Sequence, residues 1–280
     1  MSLRLGSLEV FTQPCPHFVI DGLFDDGFYR ELVDAIPEFV GFDRTDPAAT
    51  GTLSIPELRR FSGHHEALGD ELQRDLLILN DRVSELYRQL LDRLPDDPAY
   101  EEFSRLVGQA EWEQPDYFRL RERGNGFALP PHMDGPYFLG THLIYLARDI
   151  DDVANGTMLF TPKLPLSYDP LHGFLSMWPR NESWQLRKTI GFRPNRLMGF
   201  LNTPYSLHGH APFVLKGRRL SINVTMKYTD AHIRTMYARL PPTYREVFVK
   251  PKILGAILDG VDTVAERARD PEGAFAFLNG

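Results

Sequence analysis

The hydrophobic positions along this chain change period partway through, and that change organises the reading. His17–Asp21 (HFVID) is a short apolar run of strand character. Asp25 or Asp26 then stands where a helix N-cap belongs. Phe28, Leu32 and Ile36 recur at helical spacing before Pro37, which predicts a helix ending near Ile36. Residues 41–63 show no period and read as irregular. From about Glu66 to Leu94, Leu68, Leu72, Leu76, Leu79, Val83, Leu86 and Leu90 recur every three or four positions, which predicts a long amphipathic helix. Too few heptads are sustained for a coiled-coil zipper. A shorter helix is expected around Tyr100–Val107.

Near Asp116 the helical period gives way to short alternating runs bounded by Gly, Pro, Asn and Asp, the pattern of β structure. Candidate strands are Tyr117–Arg121, Thr141–Leu146, Thr157–Phe160, Arg196–Leu201 and Arg219–Lys227. Between the third and fourth, Thr161–Pro194 is weakly patterned and reads as a long loop, a natural lid or binding loop. The tail from Asp230 reads as mixed helix, with Lys252–Arg269 as an example. The pattern therefore predicts one mainly β domain over residues 1–280, a sandwich or barrel with flanking helices. Its helical N-terminal part spans about 22–108, its β core about 115–228 and its helical C-terminal segment about 230–280.

Composition narrows the function classes. The chain has 280 residues, 42% apolar and 25% charged, enough to bury a large core without cross-links. A net charge of −7 without a basic stripe argues against nucleic acid as a partner. Cys15 is the one cysteine, so no intramolecular disulfide can form. No window approaches a membrane span and no signal-peptide core is seen, so a cytoplasmic, reduced setting without a membrane partner is the expectation.

Candidate chemistry lies in three short stretches. In Pro130-Pro131-His132-Met133-Asp134-Gly135, an extended backbone points His132 and Asp134 the same way. Alone, such a triplet is equally a polar strand end turning at Gly135. Far downstream, Asn202-Thr203-Pro204-Tyr205-Ser206-Leu207-His208-Gly209-His210 follows an apolar strand. Two imidazoles and one carboxylate on one side of a metal make the facial triad of non-haem Fe(II) oxygenases, which leaves positions open for a 2-oxo acid and O2. In Gly217-Arg218-Arg219-Leu220-Ser221-Ile222-Asn223-Val224, alternation puts Arg219, Ser221 and Asn223 on one face. An arginine with a hydroxyl two residues on can grip a carboxylate bidentately and add a third hydrogen bond.

In order and context these stretches resemble the 2-oxoglutarate/Fe(II)-dependent dioxygenase superfamily, in particular prolyl-hydroxylase-like and phytanoyl-hydroxylase-like bacterial enzymes. The opening HFVIDGLF is similar to the strand-to-helix start of such hydroxylases, and Asn155-Gly156-Thr157-Met158-Leu159-Phe160 to the Gly-Gly-x-Leu strand between their ligand motifs. The resemblance implies a double-stranded β-helix, a cupin-like jelly-roll core with metal at one mouth. It implies Fe(II) on His132, Asp134 and His208, and 2-oxoglutarate held by Arg219 and Ser221. It implies O2-dependent oxidation of a substrate C–H bond with release of succinate and CO2. Asp134 is present where related halogenases carry a small residue, so hydroxylation is the default, with desaturation and ring closure compatible.

His210 competes with His208, because both share one strand parity. The Ser206-x-His208-Gly209 context favours His208, which leaves His210 placed to contact substrate. Arg218 competes with Arg219, and Ser221 favours Arg219. Tyr117, Arg119 and Arg121 are expected to look into the barrel, where Arg119 and Arg121 could meet a substrate carboxylate, although a solvated face fits them equally. Trp178 and Trp184 suit either a substrate lid or packing of the loop. The acidic charge favours a small-molecule substrate, amino-acid-like or a natural-product intermediate. A hydroxylase of protein or peptide side chains and a non-catalytic β-sandwich binding protein are the competing readings.

Overall fold

The structure is a computed structural model, described over residues 2–39, 41–43, 45–54, 66–115, 118–148, 152–163, 169–177, 184–214 and 218–249. The strands are β1 (Ser7–Phe11), β2 (His17–Asp21), β3 (Thr50–Ser54), β4 (Trp112–Glu113), β5 (Arg119–Arg123), β6 (Leu129–His132), β7 (Phe138–Tyr145), β8 (Asp152–Pro162), β9 (Trp184–Phe192), β10 (Arg196–Leu201), β11 (Leu207–His210) and β12 (Arg219–Tyr228). The helices are α1 (Asp26–Ala35), α2 (Glu66–Leu91), α3 (Pro98–Val107), α4 (Pro170–Ser176), α5 (Asp230–Arg239) and α6 (Pro242–Val249).

The strands form two antiparallel sheets. The larger runs β1-β2-β10-β7-β12-β5-β3, with β4 added to β12, and the smaller runs β6-β11-β8-β9. From β6 onward the chain shuttles between them: β6 small, β7 large, β8 and β9 small, β10 large, β11 small, β12 large. That crossing pattern is a jelly roll, so the expected double-stranded β-helix is the observed fold.

The helices form where local chemistry starts them. Asp25 caps α1 by accepting from the Gly27 and Phe28 amides, and Asp97 caps α3 by accepting from Ala99 ahead of a Pro at the first turn. The leucine stripe of α2 buries Leu72, Leu76, Leu79, Val83, Leu86 and Leu90 against the outer face of the large sheet, where Phe18, Ile20, Leu139, Ile144, Leu197, Ile222 and Val224 meet it. A second, smaller cluster lies between the sheets around Val19, Leu143, Tyr145, Leu159, Met198 and Phe200.

Several expectations are corrected. Residues 41–63 are not uniformly irregular, because β3 pairs with β5 there. Thr161–Pro194 is not a patternless loop: it contains α4 and β9. On β9 the exposed residues Gln185, Leu186 and Arg187 hide the alternation, while the Asp169 cap before Pro170 was a readable helix start. The first core strand runs Arg119–Arg123 rather than Tyr117–Arg121. Lys252–Arg269 and Tyr117 lie outside the described residues. No described helix is long and apolar enough to cross a membrane.

Candidate metal centre and carboxylate pocket

His132 ends β6 and His208 sits early in β11, and the two are direct cross-strand partners, so their rings project from the small sheet into the barrel. The ring centroids are 4.2 Å apart. Asp134 follows in the turn out of β6. One ligand atom from each of His132, Asp134 and His208 lies within 4.8 Å of the others, with 3.8 Å between His208 Nε2 and Asp134 Oδ1.

The surroundings fix how these donors point. His132 Nδ1 lies 3.0 Å from the Pro130 carbonyl and His208 Nδ1 3.1 Å from the Ser206 carbonyl. A carbonyl only accepts, so each Nδ1 carries the proton and each Nε2 keeps its lone pair for a metal. Burial, and then the neighbouring His208, push the His132 imidazole down to about 4, against the pull of Asp134, so it is neutral at ordinary pH. Thr141 donates to Asp134 Oδ2 at 2.5 Å, which leaves Oδ1 toward the histidines. Asn202 Nδ2 donates to the carbonyls of Asp134, Gly135 and Phe138 and pins the turn. A Cβ on Gly209 would sit 2.4 Å from the Leu129 carbonyl, so only glycine lets β11 approach β6 this closely between the two histidines.

His210 shares the parity of His208 but not its place. The β6–β11 register shifts between them, pairing His208 with His132 and His210 with Leu129. His210 Nδ1 instead lies 3.2 Å from the Gly156 carbonyl, with its ring 5.2 Å from Phe213, and burial, reinforced by Arg219, holds its imidazole well below the usual range.

Arg219 starts β12 and points inward, 4% exposed. Its Nε donates to the Asn155 carbonyl at 3.0 Å, and its guanidinium carbon lies 4.2 Å from the Phe213 ring centre and 5.1 Å from that of Phe192. Nη2 is buried and has no hydrogen-bond partner among the described residues. Burial pulls the Arg219 guanidinium down to about 10. An orphaned buried N–H of a cation is costly, and a carboxylate placed there would satisfy it. Ser221 is buried on the same face and donates to Asn223 Oδ1 at 2.8 Å. Arg218 points the other way, to Glu122 at 2.7 Å and to the Ile36 and Pro37 carbonyls behind the large sheet.

Arg119 and Arg121 are half-buried on the inward face of β5, opposite Asn223 and Ser221 of β12. Trp178 lies outside the described residues. Trp184 packs against the main core. A cavity of about 560 Å³, lined by Tyr100, Thr161, Lys188 and Tyr205 among others, opens beside the strands that carry His208, but none of the three clustered donors lines it. Thr141, Asn202 and Asn155 were given no role by sequence reasoning. For Asn202 a signal existed, since it opens the very loop that leads to His208.

No family model and no curated protein sequence matches the chain. Among solved structures it is similar to the non-haem alpha-ketoglutarate-dependent epimerase SnoN from nogalamycin biosynthesis, at 16% identity over 75% of this chain and 78% of that one, with a TM-score of 0.46. It is also similar to a Trichoplax adhaerens prolyl hydroxylase in complex with a hypoxia-inducible-factor peptide, at 12% identity over 77% and 84% with a TM-score of 0.40. HygX from Streptomyces hygroscopicus, solved with nickel, 2-oxoglutarate and hygromycin B, matches at 15% over 76% and 83% with a TM-score of 0.36. What the chain resembles, in structure as in its motifs, is the 2-oxoglutarate/Fe(II)-dependent dioxygenase superfamily.

Proposed function

We propose that the protein is a 2-oxoglutarate- and O2-dependent non-haem Fe(II) oxygenase that hydroxylates a C–H bond of a small molecule, releasing succinate and CO2. One observation carries the reading: two imidazoles and a carboxylate converge inside the barrel, on the wall facing a buried arginine whose Nη2 has no partner among the described residues. The donor set fits the metal, with two Nε2 lone pairs and one carboxylate oxygen turned to a common point and no cysteine among them. Bound Fe(II) would supply the coupling of 2-oxoglutarate decarboxylation to C–H oxidation.

The chain's own residues then have distinct tasks. His132, Asp134 and His208 hold the metal. Thr141 and Asn202 keep the Asp134 carboxylate and its turn in one orientation. Arg219 takes the distal carboxylate of 2-oxoglutarate, and Ser221 adds a hydroxyl by rotating away from Asn223. Phe192 and Phe213, against the guanidinium, keep water from that ion pair and so strengthen it.

The test is succinate formation from 2-oxoglutarate by purified protein with and without Fe(II), together with metal stoichiometry. Near 1:1 binding of Fe(II) or Ni(II) is expected, with iron-dependent succinate release. His132→Ala, Asp134→Ala and His208→Ala should each lose both, while His210→Ala keeps the metal. Metal binding that survives His208→Ala and fails in His210→Ala refutes the ligand assignment. Iron-loaded protein that never consumes 2-oxoglutarate refutes the activity.

A further inference from the structure

The inward face of β5 carries more positive charge than one cosubstrate needs. Strand β5 reads Arg119-Leu120-Arg121-Glu122-Arg123 with burial alternating half-buried and buried. Leu120 and Glu122 turn outward under the helices, Glu122 toward Arg218. Arg119, Arg121 and Arg123 turn inward, opposite Asn223, Ser221 and Arg219 of β12. Arg123 and Arg219 are thus direct cross-strand partners, an arrangement of like charges that destabilises a sheet. On the other side of β5, Thr50 and Thr52 pair with Arg123 and Arg121, and both threonines are exposed. The inward positions Arg119, Arg121, Arg123, Arg219, Ser221, Asn223, Thr50 and Thr52 include no Asp or Glu. The face is therefore closed at β12 and open to solvent at β3, a cationic lip leading into the barrel of a chain whose net charge is −7.

We propose that Arg119, Arg121 and Arg123 form a wall that binds the anionic group, a carboxylate or a phosphate, of an acidic substrate, leaving Arg219 to the cosubstrate. The inference rests on the oxygenase reading of the same barrel. Planar guanidinium groups grip both anions through paired N–H donors. Along a strand, next-but-one residues are about 6.8 Å apart, so one anion can touch two adjacent arginines of the row. Arg123 is covered on one side by the Phe127 ring, 4.3 Å from its guanidinium carbon, and it donates to Thr50 Oγ1. Burial, with Arg121 and Arg219 nearby, pulls Arg123 down to about 9, and a bound anion offsets that repulsion.

The test begins with calorimetric titration of 2-oxoglutarate into Ni(II)-loaded protein. Failure there is a failure of the oxygenase reading and is recorded before the wall is probed. Inorganic phosphate and propionate are then titrated separately, into both the 2-oxoglutarate-loaded and the Ni(II)-only protein. Saturable binding of at least one anion is expected, weakened at least tenfold by Arg121→Gln and by Arg123→Gln. Arg121→Lys, which keeps the charge but not the paired donors, should fall between. Unchanged Ni(II) stoichiometry shows that each variant is folded. Tighter phosphate binding points to phosphate esters, and tighter propionate binding to carboxylic acids. No saturable binding of either anion overturns the proposal, as does equal weakening by Arg187→Gln, on the exposed part of β9.

Discussion

Replacing Arg219 with leucine separates binding of the cosubstrate from stability of the fold. In the wild type the guanidinium is 4% exposed, makes one hydrogen bond, from Nε to the Asn155 carbonyl, and holds Nη2 without a partner among the described residues. Without 2-oxoglutarate, the variant loses that one bond, worth about 0.5–1.5 kcal/mol, and is relieved of a desolvated charge. Its urea midpoint should therefore stay close to that of the wild type. With 2-oxoglutarate, the lost contact is a buried ion pair, and removing one partner of such a pair costs about 3–5 kcal/mol. At about 1.4 kcal/mol per tenfold, Kd rises by roughly two to three and a half orders of magnitude. Anaerobic calorimetry on Ni(II)-loaded protein reads this directly. So does thermal shift, since ligand at 100 times Kd stabilises by about 2.7 kcal/mol and that gain should vanish. Arg218→Ala is the contrast. It removes the guanidinium beside Glu122, which is 0% exposed, and should cost up to about 3–5 kcal/mol of stability while sparing 2-oxoglutarate affinity. A Kd for Arg219→Leu within threefold of wild type, or equal losses of affinity in both variants, refutes the pocket.

Three further outcomes are expected. Leu76→Ala, at a fully buried position of the α2 stripe, should cost about 2–5 kcal/mol in urea denaturation without changing metal stoichiometry, and a loss under 1 kcal/mol would contradict its place in the core. Thr141→Val should weaken Fe(II) binding by freeing Asp134 Oδ2, with Thr141→Ser restoring it, and a Val variant with wild-type affinity removes that positioning role. His142 is fully buried, and burial pushes its imidazole down to about 3. The unfolded chain therefore binds its proton first, the neutral form's stability is fully present above about pH 6.5, and it is lost as pH falls toward 3. Between pH 4 and 6 the wild type should lose about 1.4 kcal/mol per pH unit more than His142→Leu, and parallel pH profiles would exclude this residue as the cause.

The parts of this architecture legible in the sequence are those where one face of an element is uniformly buried. On β12 the alternation separated Arg219 from Arg218 because Leu220, Ile222 and Val224 pack under the helices. The stripe of α2 was legible for the same reason. Elements at an edge were not. Half of β9 is exposed, and β11 is four residues long, so neither carries a period. The choice between His208 and His210 could not come from parity, since a register shift against β6 decides it, and that shift exists only once the strands are paired. Thr141 could not be found locally either. It reaches Asp134 from the opposite sheet, and nothing in its own neighbourhood marks it. Arg123 was missed because the strand was ended at Arg121, two residues short of the pairing with Arg219.

Stability and chemistry are assigned to opposite faces of one sheet. The outer face of the large sheet meets α2 and the other helices through the larger apolar cluster, which supplies most of the burial. That leaves the inner face free to hold groups that a core would reject: an arginine with an orphaned N–H, like charges opposed across β5 and β12, and imidazoles kept neutral by burial. Each is a cost in the ligand-free protein, and each is relieved by a partner of opposite character, respectively a carboxylate, an anion and a metal ion. A one-residue slip of β12 would exchange the two faces, sending Arg218 into the barrel and Arg219 under the helices. The Arg218 contacts to Glu122 and to the Ile36 and Pro37 carbonyls oppose that slip. The ion pair behind the sheet is thus what keeps the candidate carboxylate clamp in front of it.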